Sequence, residues 1–306
     1  MLTFDHVKKF VLTDLTLHIP RGVAVGIIGA SGAGKTTLLR LACGLLAPEQ
    51  GEVYTMQKSP VEKRNQLGSC LGCILERMPV LDEERSVADN MKNLKIIYQL
   101  PEEEFQREYE TLADKFGLRE FEHALVKSLS FGQRRRAELT AVLLHKPELL
   151  LLDEPTNGLD ENAKSVFRDI LKERVRKGLT VVLTSHDMKE VSGMCQRILL
   201  LEQGKLVYYG EESALLRQYA PMDIMELRLE GKTPDLEDLP VARYELQEEK
   251  LILTYNSNYV TASEILEVLL RQISVKEITI RKPDLADVIL AIRKEAEKSK
   301  EEETKP

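Results

Sequence analysis

The chain has 306 residues, room for one large domain and a small one, and its 30% charged and 43% apolar residues are those of an ordinary soluble globular protein. A net charge of −7 gives no general reason to expect nucleic-acid binding. The longest apolar runs, such as Leu149 to Leu152, are far too short to cross a bilayer, and Met1 to His6 lack the basic and apolar regions of a signal peptide. The expectation is a cytoplasmic protein that reaches any membrane through a partner.

Residues 1–20 read as two antiparallel strands, Leu2 to Val7 and Leu15 to Ile19, closed by Pro20-Arg21-Gly22. An apolar run, Val23 to Ile28, then leads into Gly29-Ala30-Ser31-Gly32-Ala33-Gly34-Lys35-Thr36-Thr37 and a leucine-rich helical pattern ended by Gly44 and Pro48. Strand, glycine loop and helix are the setting in which GxxxxGK[ST] forms a phosphate cradle. Its glycines let backbone N–H groups turn inward, and the helix start adds partial positive charge. Lys35 is expected to reach the terminal phosphates and the Thr36 hydroxyl to bind a magnesium ion.

Gly51 to Tyr54 starts a short strand, and Leu67 to Leu75 is apolar before a charged loop, Glu76 to Arg85. Cys43, Cys70, Cys73 and Cys195 fit a reducing compartment. Cys70-Leu71-Gly72-Cys73 is a CxxC, which raises a redox or zinc role. With no second CxxC, and with strand alternation pointing the two thiols to different faces, buried small hydrophobes are the preferred reading. From Ser86 to Phe131 the pattern is helical, broken by Pro101 and Gly117, and reads as an inserted helical subdomain.

Ser130-Phe131-Gly132-Gln133-Arg134-Arg135-Arg136 starts a helix running to about His145. Leu149 to Leu152 then suits a parallel strand buried on both faces, ending in Asp153-Glu154. One carboxylate there can hold magnesium through water, and the next can polarise the attacking water. A helix from Glu161 to Lys177 precedes a second buried strand, Thr180 to Thr184, which ends at Ser185-His186-Asp187. Ile198 to Leu201 and Lys205 to Tyr209 form a closing hairpin. Beyond Ala220-Pro221, residues 224–230, 241–246, 251–255 and 275–281 read as strands and 261–273 and 284–297 as helices. The charged tail, 298–306, is expected to be disordered. On a helix, Arg134, Arg135 and Arg136 point about 100° apart, so they are read as solvated, salt-bridged side chains rather than a nucleic-acid patch.

The four ordered motifs Gly29–Thr37, Ser130-Phe131-Gly132-Gln133, Leu149–Glu154 with Pro155-Thr156-Asn157-Gly158-Leu159-Asp160, and His186 together resemble the ATP-binding cassette (ABC) family over residues 1 to about 215. The resemblance implies an α/β P-loop ATPase core, 1–215, with an antiparallel β subdomain and a helical subdomain at about 86–145. A small α+β accessory domain, 221–297, would follow, and the wording at Asp153–Asp160 with this extension looks most like bacterial exporter ATPases. It further implies ATP and magnesium as ligands, a second ATPase subunit, and membrane permeases on separate chains that hold the protein at the inner face of the plasma membrane; no nucleic acid is expected.

Two copies would meet head to tail, with Ser130 and Gly132 of one completing the phosphate site of the other. Asp160 would carry communication across that interface, His186 would hold the γ-phosphate and the attacking water, and Phe10 would stack on adenine. A histidine just beyond a buried parallel strand lies where ligands bind in open α/β sheets.

Two departures stand out. Phe131 replaces the usual glycine, and its side chain is expected to point away from phosphate. Glu76 stands nearest to the usual loop glutamine, where it either binds the ion or is an ordinary solvated acid. A soluble ABC ATPase acting on ribosomes, DNA or cofactor assembly, or a weakly hydrolysing regulatory subunit, are the alternatives. The C-terminal domain reads as a dimer-stabilising or regulatory module.

Overall fold

The computed structural model describes residues 1–218, 222–230, 234–236, 239–247 and 250–292. It divides into two compact units, Met1–Glu211 and Glu212–Pro306. The tail 298–306 and the far end of the helix expected at 284–297 lie outside the described residues.

The first unit opens with β1 (Leu2–Lys9), β2 (Leu12–Ile19), β3 (Ala24–Gly29), α1 (Lys35–Ala42) and β4 (Gln50–Thr55). Next come α2 (Arg64–Leu67), β5 (Leu71–Ile74), α3 (Val87–Ile97), α4 (Glu102–Phe116) and α5 (Phe131–Leu144). It closes with β6 (Leu149–Leu152), α6 (Glu161–Arg176), β7 (Thr180–Thr184), α7 (Met188–Met194), β8 (Arg197–Glu202) and β9 (Lys205–Glu211). A six-stranded sheet runs β5-β6-β7-β3-β8-β9, parallel except for β9. A three-stranded antiparallel sheet runs β2-β1-β4.

The leucines explain the parallel sheet. All four residues of β6 are fully buried, as a strand covered on both faces requires. Each such side chain contributes about 1.5–3 kcal/mol on leaving water. One continuous core joins Leu2, Phe4 and Leu15 of the antiparallel sheet, Leu38, Leu39 and Leu41 of α1, and Val25, Leu149 and Val182 of the parallel sheet.

The helical segment is less regular than its hydrophobic period suggests. Pro101 and Gly117 bound α4, Gly117 in the left-handed region at φ +65°. Beyond it, Leu118–Glu120 and Val126–Ser128 are short 3₁₀ turns rather than helix. Cys70 likewise belongs to a 3₁₀ turn, not to a strand with Cys73, so alternation does not separate the two thiols.

The second unit contains α8 (Glu212–Gln218), β10 (Met222–Glu230), β11 (Arg243–Gln247), β12 (Lys250–Asn256), α9 (Ala262–Leu270) and β13 (Ser274–Arg281). Its antiparallel sheet runs β11-β12-β10-β13, and Met225, Leu227, Leu251, Leu253 and Tyr255 form a core with Ile265 and Leu269 of α9. A capping box, Thr261 with Glu264, starts that helix.

Candidate functional site

The six-stranded sheet sets the site, because β3, β6 and β7 all end at the same edge and each hands the chain to a loop. After β3, Gly32 and Gly34 adopt φ +80° and +106°. A side chain at Gly34 would run into Leu12 and Val11, so the loop that delivers Lys35 to the head of α1 requires glycine there. Lys35 is buried and folded back on this loop, donating to the carbonyls of Gly29 at 2.8 Å and Ala30 at 3.0 Å.

One residue on, Thr36 Oγ1 donates to Asp153 Oδ2 at 2.9 Å, and Thr184 Oγ1 donates to Asp153 Oδ1 at 2.7 Å. Asp153 is therefore held by hydroxyls from α1 and β7, and its own N–H reaches Ile74 O at 2.7 Å. Glu154 follows with φ +48°, its N–H bonded to Thr184 Oγ1 at 2.9 Å. That turn points the carboxylate toward the end of β7, where His186 Nε2 lies 3.1 Å from Glu154 Oε1. Burial pushes the Glu154 carboxyl above its ordinary value, against the opposing pull of His186.

These groups line one open cavity of about 850 Å³. From the sequence candidates it gathers Ser31, Gly32, Gly34, Lys35, Thr36, Thr37, Glu76, Phe131, Asp153, Glu154 and His186. Gly29, Ala30 and Ala33 are not among its lining residues. Phe10 is 65% exposed at the β1–β2 turn, with Lys9 Nζ 4.7 Å from its ring centre; Val11 beside it lines the cavity instead. Glu76 is exposed, with Arg77 Nε 3.5 Å from its carboxylate.

Ser130, Gly132, Gln133 and Asp160 are not among the lining residues. Ser130 and Gln133 instead form a capping box: Gln133 N–H donates to Ser130 Oγ at 3.3 Å, and Ser130 N–H to Gln133 Oε1 at 2.9 Å. Asp160, exposed, caps α6 by accepting from Ala163 N–H at 2.8 Å. The Phe131 ring lies against Gly158, whose φ of +80° and lack of a side chain make room for it.

The arginine run separates as helical geometry demands, but none of the three is fully solvated. Arg134 bridges Glu83 at 2.7 Å and Glu138 at 3.2 Å, and Arg135 pairs with Glu138 at 3.2 Å. Arg136 donates to Phe116 O at 2.9 Å and lies over Phe121. Sequence reasoning missed Glu190 of α7, a buried acid reached by Thr156, Ser185 and Lys164. Its only sequence signal is its place four residues after His186, on the first turn of α7. No described group of three or more histidine, cysteine or acidic side chains is arranged to hold a metal by itself.

The ABC transporter family profile matches residues 12–157. The ABC transporter ATP-binding protein NatA of Bacillus subtilis is 31% identical over 227 residues, 72% of this chain and 91% of that protein. Nod factor export ATP-binding protein I of Rhizobium etli is 30% identical over 287 residues, 93% of this chain and 89% of that protein. A solved ATP-binding subunit of an ABC transporter superposes with a TM-score of 0.66 at 25% identity, covering 71% of this chain and 92% of that one. A bacterial ABC transporter cassette solved as a dimer superposes at 0.62 and 24% identity, over 69% and 98% of the two chains.

Proposed function

The chain belongs to the ABC transporter family as one of its ATP-binding, ATP-hydrolysing subunits, and we propose that it drives a permease carried on separate chains, in the direction of export. A relative named for export, matched over 93% of this chain, supports that direction. Among the described residues no helix is long and apolar enough to cross a membrane; in this reading the permease holds the chain at the cytoplasmic face.

In this reading Lys35 leaves the Gly29 and Ala30 carbonyls for the β- and γ-phosphates of ATP. The oxygen donors of Thr36 and Asp153, already 2.9 Å apart, suit a hard divalent cation. They would hold magnesium, with Glu76 a further candidate, and the ion would neutralise charge on the phosphates. Glu154 takes the proton of the attacking water, and His186 orients that water and the γ-phosphate. Two copies pair head to tail, Ser130 and the N-terminus of α5 in one facing the cradle of the other. Asp160 lies at that interface, and Phe10 stacks on the adenine.

The observation that carries the proposal is the placement of Glu154, half-withdrawn from water, between His186 and an aspartate tied to Thr36 of the phosphate loop. Glu154→Gln is expected to keep ATP binding while ATP turnover falls on the order of 10²- to 10⁴-fold. An ATPase assay beside a nucleotide-binding titration checks this; normal turnover in that variant contradicts it.

A further inference from the structure

We propose that Glu190 is a positioning residue, which holds Glu154 and His186 at their working separation by tying together the two loops that carry them. The proposal rests on the ATPase reading above and assigns the part of the site that lies behind the reacting groups.

Glu190 is 6% exposed, on the first turn of α7. One carboxylate oxygen accepts from the hydroxyls of Thr156 and, at 3.2 Å, Ser185, both 3% exposed. The other oxygen lies 2.8 Å from Lys164 Nζ of α6. Thr156 stands two residues after Glu154, and Ser185 immediately before His186. The carboxylate thus bridges the chain just beyond the acid to the chain just before the histidine.

Thr184 Oγ1, accepting from Glu154 N–H at 2.9 Å and donating to Asp153 Oδ1 at 2.7 Å, joins the strand ends in front, and His186 meets Glu154 at 3.1 Å; Glu190 adds a buried tie behind them. The strands β6 and β7 are neighbours as far as Leu152 and Leu183, and then their loops leave for different helices, α6 and α7. Asp187 fixes the start of α7 by accepting from Lys189 N–H at 2.9 Å and Glu190 N–H at 3.4 Å, and its own N–H donates to Ser185 Oγ at 3.0 Å. Lys164 extends the tie into α6, whose cap is Asp160.

A buried carboxylate is stable only when its oxygens are satisfied, and here two hydroxyls and an ammonium do so. Such a group holds its neighbours to tenths of an ångström, the precision that a proton transfer between Glu154, water and His186 needs.

The test uses the full chain with Glu190→Leu, Glu190→Gln and Thr156→Val. Glu190→Leu and Thr156→Val are expected to lower kcat on the order of 10- to 100-fold, with the Kd for ATP changed by less than about threefold. Glu190→Gln retains an acceptor for the hydroxyls and is expected to recover part of the loss. The Glu190→Leu/Thr156→Val double variant is expected to be no worse than the poorer single, since both cut one tie. Unchanged kcat in Glu190→Leu and Thr156→Val overturns the proposal, as does a parallel fall of kcat, ATP affinity and melting temperature with no rescue by glutamine. Glu154→Gln measured beside them separates the two readings. If it is inactive while these variants turn over normally, only the role of Glu190 fails; if it turns over normally, the catalytic role of Glu154 fails first.

Discussion

Glu154 is held in a left-handed backbone conformation, a strained setting for a residue with a side chain, by its N–H bond to Thr184 and by the turn that follows. Burial raises its pKa, and neighbouring Asp153 adds to the rise, while His186 and Lys35 oppose it. A base with a raised pKa accepts its proton at higher pH, so kcat should climb with pH through a midpoint above the ordinary carboxylate value of 4.5. A kcat–pH profile checks this, and an acidic limb centred at or below that value contradicts it. The stability sign runs the other way. The folded chain holds this proton more tightly than the unfolded chain, so stability falls as pH rises from 4.5 toward the folded pKa. Lys35, Thr36, Asp153 and Glu154 were legible in the sequence because each chemistry is written in consecutive residues. Glu190 was not, because its meaning depends on Thr156 and Ser185 arriving from two different loops.

Between elements, the end of α3 meets the end of α5 through one stacked pair. The rings of Tyr98 and His145, the C-caps of these helices, lie 3.8 Å apart and 3° from parallel. His145 Nε2 is 3.0 Å from Leu71 O, so the stack also touches β5, the strand leading to Glu76. Burial lowers the His145 pKa from 6.5 to about 4. The unfolded chain therefore takes up the proton first, and stability is lost as pH falls from 6.5 toward 4. A shift of that size corresponds to about 3 kcal/mol. Replacing His145 with glutamine should flatten the dependence of melting temperature on pH in this window; an unaltered dependence contradicts the assignment. Period and apolar runs located the strands and the long helices, since burial faces repeat along the chain. They failed at 118–128, where apolar residues such as Leu118 and Val126 anchor 3₁₀ turns to the core instead of lining a helix. They failed also at the cysteines. The free thiols of Cys43, the C-cap of α1, and Cys73 of β5 meet, a contact created by packing and invisible in the CxxC spacing.

For the whole molecule, the cradle and the Ser130-headed helix are separate features of one chain. Lys35 and Thr36 line the cavity, while Ser130 is satisfied locally by its capping box. Ser130 and Gly132 do not line the cavity of their own chain, although Phe131, Arg134 and Arg135 of the same helix do; a helix start of this kind can accept an anion, and the proposal that it meets a partner's γ-phosphate is the central claim about this protein. Family motifs carried it in the sequence; the spacing of residues alone did not, because in the proposed head-to-tail pair the complementary half belongs to a second ATPase subunit. The second unit, with its own sheet and core, adds no acid–histidine cluster of this kind among the described residues. The direct measurement is sedimentation of Glu154→Gln with and without ATP–magnesium, repeated after adding Ser130→Glu. ATP should shift Glu154→Gln toward a dimer, and the added Ser130→Glu should abolish that shift while each chain still binds ATP. An ATP-saturated Glu154→Gln chain that gains no dimer, or an equal gain in the Ser130→Glu form, contradicts the account.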